Sequence, residues 1–247
     1  MRIRSRVEHP EAILLAVCLA AAAAPGWLGS VFWLAVAIGL QLAVGGLGAV
    51  AVLGPVQPGL GFARYAIPAV TGVAVTLLGR QLADVAGLAM LPVAAFVLWA
   101  VLRLELAATK SGRAGFLLDL ALVAVVFAGA AGIGALLPRD AWPPAVLLVA
   151  LLAAVPSLRS AEARGRSGVE AVGQGVLHLA AVAQVGTALA LLHLQGVVAA
   201  AIVALAFHAW GGAAESLDHG ASGRAVAVEF GSLAVLGVVV ALLLHAG

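Results

Sequence analysis

The length of its apolar runs constrains this chain most. Nine stretches, at approximately 11–28, 31–54, 62–79, 85–106, 115–137, 142–158, 169–192, 196–215 and 225–246, carry few charges. Each is close to the roughly 20 residues that a helix needs to cross a bilayer. Lipid offers no partner to backbone N–H and C=O groups, so only helices or closed barrels span it. Barrel strands would show short alternating segments, and these runs do not alternate. The sequence therefore predicts an all-α fold: a polytopic transmembrane helical bundle of about nine spans. The third run is the weakest, being short and containing Pro68, and a count of eight is the alternative.

Composition agrees. The chain is 64% hydrophobic and 10% charged, against roughly 25% charged in a soluble domain. The links between runs are short, so residues 1–247 read as one integral membrane domain with no extramembrane domain to hold nucleotide or nucleic acid. A formal net charge of +2 gives nucleic acid no purchase either. Cys18, alone of its kind, reads as a small hydrophobe in the first run. The start resembles a signal peptide in its basic residues and small-residue run. Because the next run follows directly, an uncleaved first helix is expected.

Charge sets the expected orientation. With the N-terminus in the cytoplasm, alternation puts Arg2, Arg4, Arg6, Arg64, Arg103, Lys110, Arg113, Arg159, Arg164, Arg166 and Arg224 on the cytoplasmic side. Only Arg80 and Arg139 fall outside, which is the asymmetry of the positive-inside rule. One span more or fewer in mid-chain would scramble it. The C-terminus is then outside, and a bacterial cytoplasmic membrane is the expected location. Of the two longest inner links, 54–64 is rich in Pro and Gly and predicts a turn without helix, and 157–170 predicts a charged, solvated loop. Trp27 and Trp142 are expected at headgroup level. Runs such as 43–54 and 128–137 contain small-xxx-small spacings that let helix backbones approach closely in lipid.

The hairpin from Val169 to Glu215 holds two histidines. Counted from the polar break at His193–Gly196, His178 lies about 16 residues back and His208 about 13 forward, depths only a few ångströms apart at about 1.5 Å rise per residue. Ionisable groups within hydrocarbon are costly, so each needs an account. Asp119 and Glu229 fall in the same cytoplasmic half. Gln174 is one turn from His178, and Glu215 is two turns from His208. The expectation is a polar pocket of Asp119, His178, His208, Glu229, Gln174 and Glu215, open to the cytoplasm. The competing account is structural, with these groups bonding helix to helix. Gly211 and Gly212 are expected to loosen or end the eighth helix. His9, His193 and His245 read as interface residues.

No catalytic residue stands out. The glycine-rich stretches lack a P-loop Lys-Ser/Thr, and no H-E-x-x-H metal motif occurs. A bis-histidine haem site at His178 and His208 is a sharper variant of the pocket, but cofactor and metal stay open. The leading function is small-solute or proton-coupled transport. The alternatives are a non-catalytic membrane subunit of a larger complex and an intramembrane enzyme acting on lipid or isoprenoid with metal or haem. Expected partners are membrane lipid and other membrane subunits. No internal repeat of the transporter kind is visible.

Overall fold

The structure, a computed structural model, describes residues 10–55, 61–107, 112–138, 140–194 and 196–246. Nine α-helices occupy them: α1 (Pro10–Leu28), α2 (Val31–Leu53), α3 (Ile67–Ala86), α4 (Leu91–Ala107), α5 (Gly112–Leu136), α6 (Trp142–Ala163), α7 (Gly168–Leu191), α8 (Gly196–Asp218) and α9 (Gly223–Ala246). Eight are long and apolar enough to cross a membrane, while the apolar part of α3, Ile67–Ala83, is shorter. No strand occurs among the described residues. Arg2, Arg4, Arg6, His9, Lys110 and Arg139 lie outside them.

Large apolar side chains cover the outside. Phe32, Phe96, Phe116, Leu147, Leu177 and Leu236 are all exposed, an arrangement that water would oppose and lipid accepts. Inside, α1 packs on α2, α3 and α4, while α5 links this group to α6 and α8. The pair α6 and α7 packs against α8, and α9 lies at the edge on α8. Gly45 meets the backbone of Ala69, and Gly132 meets that of Leu77 and Leu78. A side chain at either position would push two helices apart, so part of the small-residue spacing serves close packing.

Local chemistry explains where several boundaries fall. The third helix starts at Ile67, not near residue 62, because Pro68 sits in its first turn, where a missing N–H costs nothing. The helix then runs on to Ala86, so Pro68 does not weaken it. Arg80 Nη1 donates to the carbonyls of Gly26 at 2.6 Å and Gly29 at 2.9 Å, closing the C-terminal end of α1 with a cation. Trp27 is not at the surface: it is 4% exposed and packs over Gly79 of α3.

The expected loop at 157–170 is overturned for its first half. Helix α6 continues to Ala163, and Ser157, Arg159, Ser160 and Glu162 are buried. Partners for these polar groups keep the helix going. Ser157 Oγ bonds back to Ala153 O. Arg159 grips Glu105 of α4. Glu162 accepts from the N–H groups of Phe62 at 2.9 Å and Ala63 at 3.1 Å. Those amides open a short 3-10 turn, Ala63–Tyr65, so the end of the link at 54–64 does carry a turn of helix. Its Arg64 is buried as well. Helix α8 likewise passes through Gly211 and Gly212 without ending there.

Candidate functional site

The six expected pocket residues separate into three groups. His178 and Gln174 are buried on one face of α7. Asp119 is half-buried and accepts a hydrogen bond from Ser160 Oγ at 2.7 Å. His208 and Glu215 on α8 and Glu229 on α9 are exposed. The two histidines match in position along the hairpin but not in direction, so the facing pair that a bis-histidine haem requires is not formed. The physical reason is rotation: one residue past buried Phe207, about 100° round the helix, His208 falls on the outer side of α8 with exposed Ala201, two turns back. Among the described residues no group of three or more His, Cys, Asp or Glu is placed to hold a metal ion.

A cavity of about 630 Å³ opens instead at the end of the bundle where α5 joins α6 and α7 joins α8. Apolar side chains such as Val146, Val149, Leu189 and Val203 form its walls, with Asp140, Trp142 and His193 among its lining. Apolar walls with a few polar groups are the usual make-up of a ligand pocket. A groove of about 400 Å³ between α8 and α9 is apolar throughout its lining and suits lipid chains.

His193 has an unusual backbone. Its φ of 56° is the only positive value at a non-glycine among the described residues. It follows the end of α7 in the position that glycine usually takes, with His193 N bonding Ala190 O at 3.1 Å and Leu194 N bonding Leu189 O at 3.0 Å. This double bond pattern is the Schellman turn. A histidine there carries a strain that glycine would avoid.

Deeper in the bundle, a second feature lies on the same buried faces. On α8, Val203 lines the cavity, Phe207 follows one turn on, and Gly211 one turn further. On α7, His178 stands two turns from Gly186 of the cavity wall. The His178 ring lies 5.2 Å from that of Phe207 and 6.5 Å, edge-on, from that of Trp210. Arg164, at the end of α6, also approaches Gly211. About 12 Å of helix separates the cavity wall from His178. Phe207 fills part of that interval.

The functional interest of Arg164, Phe207, Gly211 and His193 was not visible in the sequence. Arg164 lay in a charged link, and Phe207 was one apolar residue among many. His193 offered a small signal, since it stands where a helix-ending glycine would be expected.

A separate polar cluster joins helices at one end of the bundle. It consists of Arg64, Glu105, Arg159 and Glu162, all buried. Arg159 and Glu105 pair with each other and Glu162 holds the amides of Phe62 and Ala63, which suits a structural role, while Arg64 Nε has no hydrogen bond among the described residues. Gln41 of α2 forms another joint, donating to Leu19 O at 2.8 Å and Thr76 Oγ1 at 3.2 Å.

Comparison of the chain with models of known families, with characterised proteins and with solved structures gives no match. Function must be argued from the geometry itself.

Proposed function

We propose that this multipass protein is a small-solute transporter of a bacterial cytoplasmic membrane, with its path among α5, α6, α7 and α8. One observation carries the reading: the cavity and His178 lie on the same buried faces of α7 and α8, with Phe207 against the His178 ring and Arg164, from the end of α6, beside Gly211. A pocket open at one end, a polar station towards the other and an apolar barrier between them, which includes Phe207 and Val182, are the parts that alternating access needs. The charge asymmetry of the links supports the orientation, with the cavity outward and Arg164 inward. The placements of Asp119 and Glu229 lend no support to proton coupling.

The test is flux through proteoliposomes. Swelling in iso-osmotic acetate, chloride or glycerol is followed by light scattering, for the wild-type protein and for Phe207→Ala. The variant is expected to raise flux several-fold. Gly186→Trp, which fills the cavity, is expected to lower it again in the Phe207→Ala background. Phe207→Ala vesicles that swell no faster than protein-free ones overturn the reading.

A second reading, a membrane subunit of a larger assembly, is favoured by the exposure of His208 halfway along α8. Lipid covers such a group at a cost, whereas another chain can offer it a hydrogen bond. Purification in a mild detergent as a monomer, with no change on replacing His208, counts against it.

A further inference from the structure

Where the ends of α6, α7 and α8 meet, three buried polar atoms make no well-aligned hydrogen bond among the described residues. His178 is 1% exposed; neither ring nitrogen makes a well-aligned hydrogen bond, although the backbone of Gln174 and of Phe207 lies beside the ring. Arg164 Nη2 is buried and unpartnered among the described residues. Two acids of this end are taken by the neighbouring arginine: Arg166 pairs with Asp218 of α8 and with Glu170 at 3.7 Å. Arg164 has no ion pair among the described residues.

These groups converge on a space that a glycine leaves open. A Cβ built on Gly211 would lie 3.6 Å from His178 Nε2 and 3.8 Å from Arg164 Nη1. A single atom over Gly211 therefore stands within a small shift of hydrogen-bond distance to both. A guanidinium keeps its proton and only donates, and an imidazole can turn an N–H to the same point. Arg164, a permanent cation with a buried donor and no partner among the described residues, calls for an anionic oxygen, to which His178 can add an N–H. A cation would be repelled by Arg164, and a neutral hydroxyl would leave its charge unmatched.

We propose that Arg164, His178 and Gly211 form a binding site for an oxyanion, a carboxylate or a phosphate, with Trp210 beside it. Arg164 as a whole is half-buried, at the end of α6. As the inner station of the path it rests on the transport reading; as a binding site it is tested apart from flux.

The experiment uses the full chain, delipidated in a neutral detergent. Acetate and inorganic phosphate are titrated against tryptophan fluorescence, and phosphatidylglycerol against diacylglycerol is compared by native mass spectrometry. Saturable binding of acetate or phosphate identifies a free anion as the ligand. Binding of phosphatidylglycerol, but of neither small anion, identifies a lipid headgroup. In either case Arg164→Gln and Gly211→Ala are expected to weaken binding about tenfold or more, the loss of a charge-assisted bond. Gly211→Ala meets no atom closer than 3.6 Å, so it keeps the fold while filling the seat, and unchanged thermal melting checks this. No saturable binding of any probe by the wild type, or binding that both variants leave unchanged, overturns the proposal. If binding fails while Phe207→Ala still raises flux, the anion site falls and transport stands. If binding holds without flux, transport falls and the site stands.

Discussion

Arg159 of α6 holds Glu105 of α4 with two nitrogens, Nε at 2.9 Å and Nη2 at 2.8 Å from the same carboxylate oxygen. The two side chains are 4% and 0% exposed. Both charges have left water, so their value depends on staying together. Removing one partner strands the other, at about 3–5 kcal/mol, whereas an apolar pair of similar volume is often neutral. Glu105→Gln is therefore expected to destabilise the protein strongly, and Glu105→Leu with Arg159→Met to recover most of the loss. Unfolding of the purified variants in a mixed detergent series checks this. A double variant as unstable as Glu105→Gln would show that the pair does more than balance charge.

Gln41 predicts a smaller effect. Its Nε2 joins α2 to Leu19 O and Thr76 Oγ1, but Thr76 Oγ1 also bonds Gly72 O at 2.7 Å. Losing Gln41 thus strands little. Gln41→Leu is expected to cost about 1 kcal/mol, in the range of interhelical hydrogen bonds in membranes. The same unfolding assay measures it, and a loss as large as that of Glu105→Gln would contradict the argument.

The strained turn at His193 gives opposite signs for stability and function. Glycine accepts a φ of 56° without the Cβ clash, so His193→Gly is expected to stabilise the protein by about 1 kcal/mol. The imidazole also lines the cavity, so the same change is expected to lower flux or alter its solute preference. A melting curve and the swelling assay read the two effects. A variant less stable than wild type would mean that the imidazole makes a stabilising contact outweighing the strain.

Helix number and the approximate length of each were legible because lipid imposes them: each run had to bridge the same thickness. Depth along a helix was legible too, since rise per residue is constant. Azimuth was not. Helices α7 and α8 are apolar on nearly all sides, so no polar stripe revealed that His178 points inward and His208 outward. Charge misled in one place. Arg159 and Glu162 looked like loop residues because their partners, Glu105 and the amides of Phe62 and Ala63, are remote in sequence. Gly211 illustrates a further limit. A glycine in a helix reads as a weak point, and only the neighbours show that it leaves room for something.

His208 carries the last prediction. It is exposed halfway along α8, about 15–18 Å of helix from either end, and is therefore too deep for its short side chain to reach water. Glu229 is exposed on α9, which runs back alongside α8 after a short turn. A second copy of the chain, related by a two-fold axis, can set Glu229 against His208 and the reverse, a self-complementary contact. In mild nonionic detergent the wild type is then expected to run at twice the 24.5 kDa chain mass, and His208→Leu with Glu229→Gln to run as a monomer. Because both residues are on the surface, the double variant should keep its thermal stability as a monomer, which separates lost pairing from lost folding. Light scattering coupled to size exclusion decides the matter. A wild type that is already monomeric, or a dimer that the double variant leaves intact, would place the cover over His208 elsewhere.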